Sequence, residues 1–446
     1  MSYVVDAAAS GPGRLRSDVR ASRLQAWSIF ALLFALMAFD HLDRQVVVSM
    51  FPFLKQQWQL TDAKLGALVS IVAITVAIGT IPLSLLADRW GHVRSLFLMA
   101  TIWSLATIAC AFATHYGELL LARAIVGVGE AAYGSVGCAL LAGLFSERVR
   151  STVLGAFLMA ALIGSVLGVI VGGVITHHWG WEAGFGVAGA PGLVLGVLFL
   201  VVARKLPATY SPALPYESEL RAAARSVLAE LFKSRSAPVA AIGAGLQLVT
   251  VSAMYAWLPS FLNREYGFAA AHAGITAGLV VLMGVPGAIV LAFATDRLSS
   301  RFAAARYYVP AGAAMLTALF MSSAFGVAKV GVAQLALLAL GAVTMVGTVG
   351  PVTAAVVEVV PPHARASAAA FLAATQNLFG LAIGPVLIGI LSDRYGLPVA
   401  IAVVPAFCAL AGLAFIAAAR AYPRDRARVE SLRSIAAAGA PFRSSI

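Results

Sequence analysis

The sequence predicts an all-α membrane protein with twelve transmembrane helices arranged as two six-helix, pseudo-symmetric halves. Three observations carry this expectation: the composition, the number of long apolar segments, and a motif that recurs at the same place in each half. Hydrophobic residues make up 61% of the 446 residues and charged residues 11%, against about 25% charged in a soluble domain. A membrane-spanning helix needs about 20 apolar residues. Twelve such segments lie near 24–53, 64–87, 92–114, 118–145, 150–177, 182–204, 237–262, 271–295, 306–326, 330–357, 366–391 and 397–420. Segment two ends in Leu86-Ala87-Asp88-Arg89-Trp90-Gly91 and segment eight in Ala294-Thr295-Asp296-Arg297-Leu298. Each is the second segment of its half, so the match points to an internal duplication. Two such halves around a midplane site form a carrier architecture.

The distribution of charge orients these segments. Residues 1–23 form a polar tail with Arg14, Arg16, Arg20 and Arg23, without the short apolar core and small-residue cleavage site of a removed signal. Basic residues follow segment two (Arg89, Arg94), segment four (Arg148, Arg150), segment eight (Arg297, Arg301, Arg306) and segment ten (Arg365), and they stud the linker 205–236. The opposite side carries only Lys55, Lys64, Arg264, Lys329 and Arg394. The positive-inside rule then places both termini in the cytoplasm, with the chain integral to a plasma or bacterial inner membrane. The net charge of +12 therefore reports topology and contact with anionic lipid, and no basic face of a soluble domain exists to bind nucleic acid.

Residues 24–204 form the N-terminal half, 237–420 the C-terminal half and 421–446 a cytoplasmic tail. In the linker, Pro207, Pro212 and Pro215 precede a basic amphipathic stretch at 217–233 that suits a helix lying on the membrane surface. Cys110, Cys138 and Cys408 all sit in apolar segments, which excludes a disulfide framework. Gly127, Gly129, Gly134 and Gly137 mark segment four, and Gly380, Gly384, Pro385 and Gly389 mark segment eleven. Gly164, Gly168 and Gly172 recur every four residues in segment five, followed by Gly173. Small residues let membrane helices approach closely, and a whole glycine face predicts a moving interface there. Trp257, near the outer end of segment seven, reads as an interfacial anchor.

Five ionisable residues lie deep in the apolar segments: Asp40, Asp43 and Arg44 in segment one, Arg123 and Glu130 in segment four. Each charge costs about 2.5–3.5 kcal/mol at a helix centre unless it faces protein or water. Spacings of three and four residues put Asp40, Asp43 and Arg44 on one side of their helix, and Arg123 and Glu130 stand two turns apart on one stripe. The five sum to −1, so one carboxylate is in surplus and can load and release a proton. Asp40, Asp43 and Glu130 are the proton-coupling candidates, the last two foremost. Arg44 and Arg123 are placed to meet an anionic headgroup or to tune the acids. A fixed ion network joining helices one and four is the competing reading. His41 is turned about 100° from Asp40 along the helix and is left outside the set.

Tyr133, Gln247, Tyr255, Thr344, Thr348, Thr375, Gln376 and Asn377 are weaker candidates to line a cavity. His177-His178 lacks further ligands at metal spacing, so no metal and no cofactor are expected. No phosphate loop, zinc-peptidase helix or nucleophile elbow is present. An enzyme and a nucleotide-driven pump are thereby disfavoured.

The Asp88-Arg89-Trp90-Gly91 corner resembles the loop signature of the major facilitator superfamily, with Ser84 at its usual opening glycine and His92-Val93, then Arg94, at its basic pair. In that family the loop acid meets the cytoplasmic start of segment eleven. The resemblance therefore implies a conformational gate at Asp88, Arg89 and Gly91, and its repeat implies one at Asp296 and Arg297. The glycine run of segment five is similar to the fifth-helix motif of antiporters, with Val169 where proline is usual. Leu42-Asp43-Arg44, the stretch from Arg123 to Tyr133, and Gly384-Pro385 with Ser392-Asp393-Arg394-Tyr395-Gly396 look like the Spinster branch. That resemblance implies export of lysophospholipids or sphingosine phosphate, proton linkage in some members, and roles for Asp43, Arg44, Arg123 and Glu130. Asp40-His41 stands where the branch commonly has Asn-Tyr, which adds an acid at the cavity.

The expected function is a secondary, proton-coupled transporter that moves an amphipathic anion, a lysophospholipid in particular, as a monomer in the bilayer. The alternatives are a proton-coupled carrier of small organic acids, a drug exporter of the same fold, and a non-transporting membrane sensor or scaffold.

Overall fold

The structure, a computed structural model, describes residues 22–204, 206, 232–361 and 365–437. Among these residues, eleven helices are long and apolar enough to cross a membrane. One of them, Thr152–Ala203, has 52 residues and would run about 78 Å at 1.5 Å per residue, more than twice a hydrocarbon core. Gly180, at φ 84° and ψ 166°, breaks it, and twelve spans result.

The spans are α1 (Arg23–Ser49), α2 (Asp62–Trp90) and α3 (His92–Cys110); α4 (Tyr116–Glu130, then Tyr133–Leu144); and α5 and α6 (147–179 and 181–203). The second half comprises α7 (Ser236–Tyr266), α8 (Ala270–Leu282, then Gly284–Ser299), α9 (Ala305–Gly326) and α10 (Val332–Met345, then Val349–Glu358). It ends with α11 (Arg365–Thr375, a π-turn Gln376–Leu381, and Ile383–Tyr395) and α12 (Leu397–Ala402, then Val404–Ala437). A short helix, Phe51–Trp58, links α1 to α2. Here α1 begins and α6 ends on what we call the terminal face, where Gln25 donates to the Val202 carbonyl at 3.0 Å. The opposite face is the far face.

One difference from the expected layout has a clear cause. The last span does not stop near 420 but continues as helix to Ala437. Asp425 on that extension accepts from the Ser236 amide (2.7 Å), the Ser236 hydroxyl (2.6 Å) and the Ser234 hydroxyl (3.1 Å), so it caps α7 and ties the extension down. The amphipathic stretch 217–233 lies, except for its last two residues, outside the described residues, as does the tail 1–21. The corners after α2 and α11 need backbone that only glycine adopts freely: Gly91 has φ 90° and Gly396 φ 83°.

The glycine face of α5 packs against α1 inside one half and is not a sliding surface between halves. A Cβ on Gly164 would fall 2.0 Å from the Ala38 carbonyl oxygen, and one on Gly168 would fall 2.4 Å from that of Leu42. Other glycines serve the junction between halves. A Cβ on Gly66 would meet the Pro385 oxygen at 2.3 Å, on Gly389 the Asp62 oxygen at 2.4 Å, and on Gly173 the Ala270 oxygen at 2.7 Å.

Packing defines the conformation. Toward the far face one apolar core draws on both halves, including Val46, Leu65 and Val169 with Trp257, Ala273 and Ile388. Toward the terminal face there are two separate cores. One is built only from the first half, around Leu36, Trp103 and Phe157. The other comes only from the second half, around Tyr307, Val356 and Phe415. The halves are thus joined at the far face and parted toward the terminal face. Trp257, expected at the lipid interface, is fully buried in that junction, where its indole N–H donates to the Pro385 carbonyl at 2.9 Å.

Candidate functional site

Close packing of α4 places the charged cluster. Gly127 lets α4 approach α2, since a Cβ there would fall 2.0 Å from Thr75 Oγ1. Gly129 lets it approach α3, since a Cβ there would fall 2.5 Å from the Trp103 backbone nitrogen. The polar side chains of the same helix, Arg123 and Glu130, are left to meet α1. The helix breaks directly after Glu130, and the carbonyl of Ala131 at the break accepts the Thr80 hydroxyl at 2.7 Å, as a buried backbone group must find a partner.

Four of the five predicted charges are sealed from solvent: Asp40, Asp43, Arg123 and Glu130 are each at most 3% exposed. They form two units. Arg123 Nη1 lies 3.0 Å from Asp43 Oδ2, with both side chains fully enclosed. Arg44 Nε lies 2.9 Å from Glu130 Oε2 and 3.8 Å from Asp40 Oδ2, and its side chain keeps 20% exposure. Asp40 takes a further partner that helical spacing assigned to a different side: His41 Nδ1 sits 2.9 Å from Asp40 Oδ2. The adjacent ring swings back along its own helix, also within 3.3 Å of the Met37 carbonyl, a rotamer choice that residue spacing does not encode. Asp40 Oδ1, Asp43 Oδ1 and both oxygens of Glu130 have no hydrogen-bond donor among the described residues, Glu130 Oε2 meeting Arg44 as an ion pair only. The cluster thus holds open acceptor capacity for protons or water.

The cluster borders a crevice of about 70 Å³ between the halves, lined by Arg44, Gln45 and Arg123 on one side and Ser252, Tyr255 and Leu381 on the other. A single water needs about 10–15 Å³, so the crevice admits several. By residue rise it lies roughly 10–20 Å in from the far ends of its helices, about half-way through a bilayer.

Of the weaker polar candidates only Tyr255 lines this crevice. Tyr133 is buried in the first-half core. Gln247 donates to the Met345 carbonyl at the α10 break (2.9 Å). Thr344 pairs with Thr317 at 2.7 Å. Thr375 and Asn377 bond back to their own helix, to Phe371 and Ala373. Thr348 and Gln376 are buried. Gln45 and Ser252 were not singled out from sequence, although Gln45 directly follows the Asp43-Arg44 pair. His177 and His178 are exposed, and no metal-holding cluster of His, Cys, Asp and Glu occurs among the described residues.

At the corner after α2, Asp88 faces His92 at 3.3 Å, while Asp296 and Arg297 are exposed at the end of α8. Among the described residues, the densest polar link between halves is at the opposite, far face, where no motif marks it in the sequence. Asp62, the first residue of α2, accepts from both terminal nitrogens of Arg264 on α7 (2.7 and 2.8 Å), from Lys55 (2.5 Å) and from Ser392 of α11 (2.5 Å). In the other direction, Asp393 of α11 accepts from the Asp62 and Ala63 amides at 2.7 and 2.9 Å, capping an α2 N-terminus that belongs to the other half. Lys55 and Arg264 are two of the few basic residues on that face, which is the signal the sequence offered. Each charge-assisted hydrogen bond contributes about 1.5–3 kcal/mol. Asp62→Asn is therefore expected to shift the protein toward opening at the far face. A cysteine placed at Ser252 should then react about tenfold or more faster with a membrane-impermeant thiol reagent added from that side. An unchanged rate would show that the clasp does not hold the far face closed.

The twelve-span, two-half fold agrees with the fold of similar proteins. A family model described as Major Facilitator Superfamily matches residues 33–382. The chain belongs to the major facilitator superfamily. It is a membrane transporter rather than an enzyme. It is 24% identical to the sphingosine-1-phosphate transporter SPNS2 of Mus musculus, over 95% of this chain and 82% of that protein. It is 27% identical to a gallate transporter of Pseudomonas putida, over 88% of this chain and 92% of that protein. A crystal structure of a bacterial homolog of the human lysosomal transporter Spinster, inward-facing and unoccupied, superposes with a TM-score of 0.81 at 19% identity, covering 91% of this chain and 99% of that one. The Spinster-like character read from the short motifs thus holds along most of the chain, while the cargoes in the relatives' names range from a lipid phosphate to an aromatic acid.

Proposed function

We propose that the protein is a proton-coupled transporter of an amphipathic organic anion, working as a monomer by alternating access, with a carboxylate or phosphate head received by Arg44. The supporting observation is the position of Arg44. It is the one charged residue of the cluster that is both partly exposed in the crevice and in ionic contact with a buried acid, Glu130. A proton on Glu130 weakens its hold on Arg44 and leaves the guanidinium for the incoming anion. Charge supports the same coupling: Asp40, Asp43 and Glu130 against Arg44 and Arg123 sum to −1, and adding one proton and one monoanion leaves that sum unchanged. The buried site therefore meets no new net charge in a low-dielectric interior. Asp43 and Arg123, enclosed together, hold α1 to α4 and position the working pair.

By the positive-inside rule the terminal face is cytoplasmic, so the conformation described opens inward and is closed outside by the Asp62 clasp. Asp88 and Arg89, with their counterparts Asp296 and Arg297, lie on the inner side, where the outward-facing state would close.

The relatives' names bracket the cargo as a lipid phosphate or an aromatic carboxylate. A small organic acid is favoured by the compactness of the crevice; a lysolipid would seat only its head there and pass its tail between the halves. Arg44→Ala tests the head. Binding of gallate and of a lysophosphatidate should fall roughly 10–100-fold, the equivalent of one charged hydrogen bond, while neutral analogues of either lose little. Equal loss for charged and neutral probes would make Arg44 a purely structural residue. Chain length tests the tail, since each methylene buried adds about 0.8 kcal/mol. Affinity that climbs along a series of lysophosphatidates marks a lipid cargo, and a flat series marks a small acid.

A further inference from the structure

A second polar cavity lies wholly in the C-terminal half, at the terminal face, where the start of α9, the end of α10, the start of α11 and the extension of α12 meet. It encloses about 330 Å³, within the range of small-molecule sites. Its charged lining is Arg306, Glu358, Arg365, Arg426 and Glu430, with apolar contacts from Val357 and Val429. The two acids are already engaged. Glu358 pairs with Arg306 at 2.8 Å and accepts the Tyr422 hydroxyl through its other oxygen. Glu430 pairs with Arg426 at 2.9 Å. Among the described residues the third guanidinium, Arg365, has no acid paired with it, and its Nε is buried without a hydrogen-bond acceptor. A buried charged donor of this kind is stabilised by a ligand that brings an acceptor to it.

A cavity with one surplus guanidinium, two more on its walls and an apolar lining fits a phosphate group better than a carboxylate or a neutral ligand. Planar guanidinium forks match phosphate oxygens two at a time, and the walls offer three of them. Basic pockets between membrane helices on the cytoplasmic side are also where lipid head groups bind. We propose that this cavity is a phosphate-binding site, separate from the transport crevice, filled by the head of an anionic phospholipid or by free phosphate. The site lies at the start of α11, whose other end carries Ser392 and Asp393 of the far-face clasp. A bound phosphate would gather the ends of four helices around Arg365 and stiffen the half that carries the clasp. The proposal does not depend on the identity of the transported cargo.

The full-length protein in neutral detergent tests it directly. Dioleoyl phosphatidate, inorganic phosphate and dioleoyl phosphatidylcholine are each titrated while lipid adducts are counted by native mass spectrometry and the melting temperature is followed. Phosphatidate is expected to bind and raise the melting temperature, with phosphatidylcholine inert. Arg365→Gln should weaken phosphatidate binding by about tenfold or more, one charged hydrogen bond. Arg426→Gln, a milder change at a more exposed side chain, should weaken it less, which keeps the test decisive if Arg365→Gln folds poorly. If inorganic phosphate stabilises the protein with the same dependence on Arg365, the site takes any phosphate. If only phosphatidate does, it takes the lipid head. Binding that is absent from the wild type, or equal in the wild type and both variants, overturns the proposal.

Discussion

Glu130→Gln is expected to reduce proton-driven uptake to the level of protein-free liposomes while leaving the protein folded. The substitution keeps the shape of the side chain and a neutral contact to Arg44, so the break in α4 and the packing of Gly127 and Gly129 against α2 and α3 are untouched. What it removes is the charge that Arg44 Nε meets at 2.9 Å and the group proposed to carry the proton. The variant resembles the protonated protein permanently. It should still bind an anion at Arg44 and exchange labelled for unlabelled anion across the membrane, because exchange needs no net proton movement. Its anion binding should lack the pH dependence expected of the wild type. Uptake driven by a pH gradient at the wild-type rate would remove Glu130 from the coupling role and leave Asp40, with His41 beside it, as the acid to test.

Arg123→Ala is expected to show the largest loss of stability. Both members of the Asp43–Arg123 pair are fully enclosed, and removing one partner of a buried ion pair costs about 3–5 kcal/mol because the other charge is left uncompensated. The expected result is a sharply reduced melting temperature and poor yield from membranes. Replacing both together, Asp43→Leu with Arg123→Met, should recover much of the stability, since apolar residues of similar volume often substitute for a buried pair without loss. The contrast separates the two units of the cluster. If Asp43 and Arg123 serve packing, the double variant remains stable and retains anion binding at Arg44. If it is stable but binds no anion, the enclosed pair belongs to the transport site.

The sequence carried the fold nearly whole, because length and hydropathy decide which helices span a bilayer, and the duplicated Asp-Arg corner fixed the two halves. It also located the five deep charges, since an ionisable residue in an apolar run is conspicuous. Pairing was less legible. Helical spacing placed His41 away from Asp40 and put Arg123 and Glu130 on one stripe. Contacts across helices then gave Arg123 to Asp43 and Glu130 to Arg44. Trp257 looked like an interface anchor because an aromatic residue near a helix end usually is one, yet the join between halves passes over it. The glycine face of α5 has a spacing that serves static and sliding packing equally. Only its register against Ala38 and Leu42 of α1 shows which applies. The Asp62 clasp joins residues more than 200 positions apart and leaves no local pattern beyond sparse basic residues on one face.

The proposed coupling between a proton on the cluster and an anion in the crevice is tested most directly by counting protons as an anion binds. Purified protein in weakly buffered detergent is mixed with gallate or a lysophosphatidate near neutral pH, and the change in free proton concentration is followed with an indicator dye. The expected result is uptake of up to about one proton per anion bound in the wild type, as linkage requires when two ligands favour one state, and none in Glu130→Gln. Saturable anion binding by the wild type with no proton taken up at any pH would contradict it.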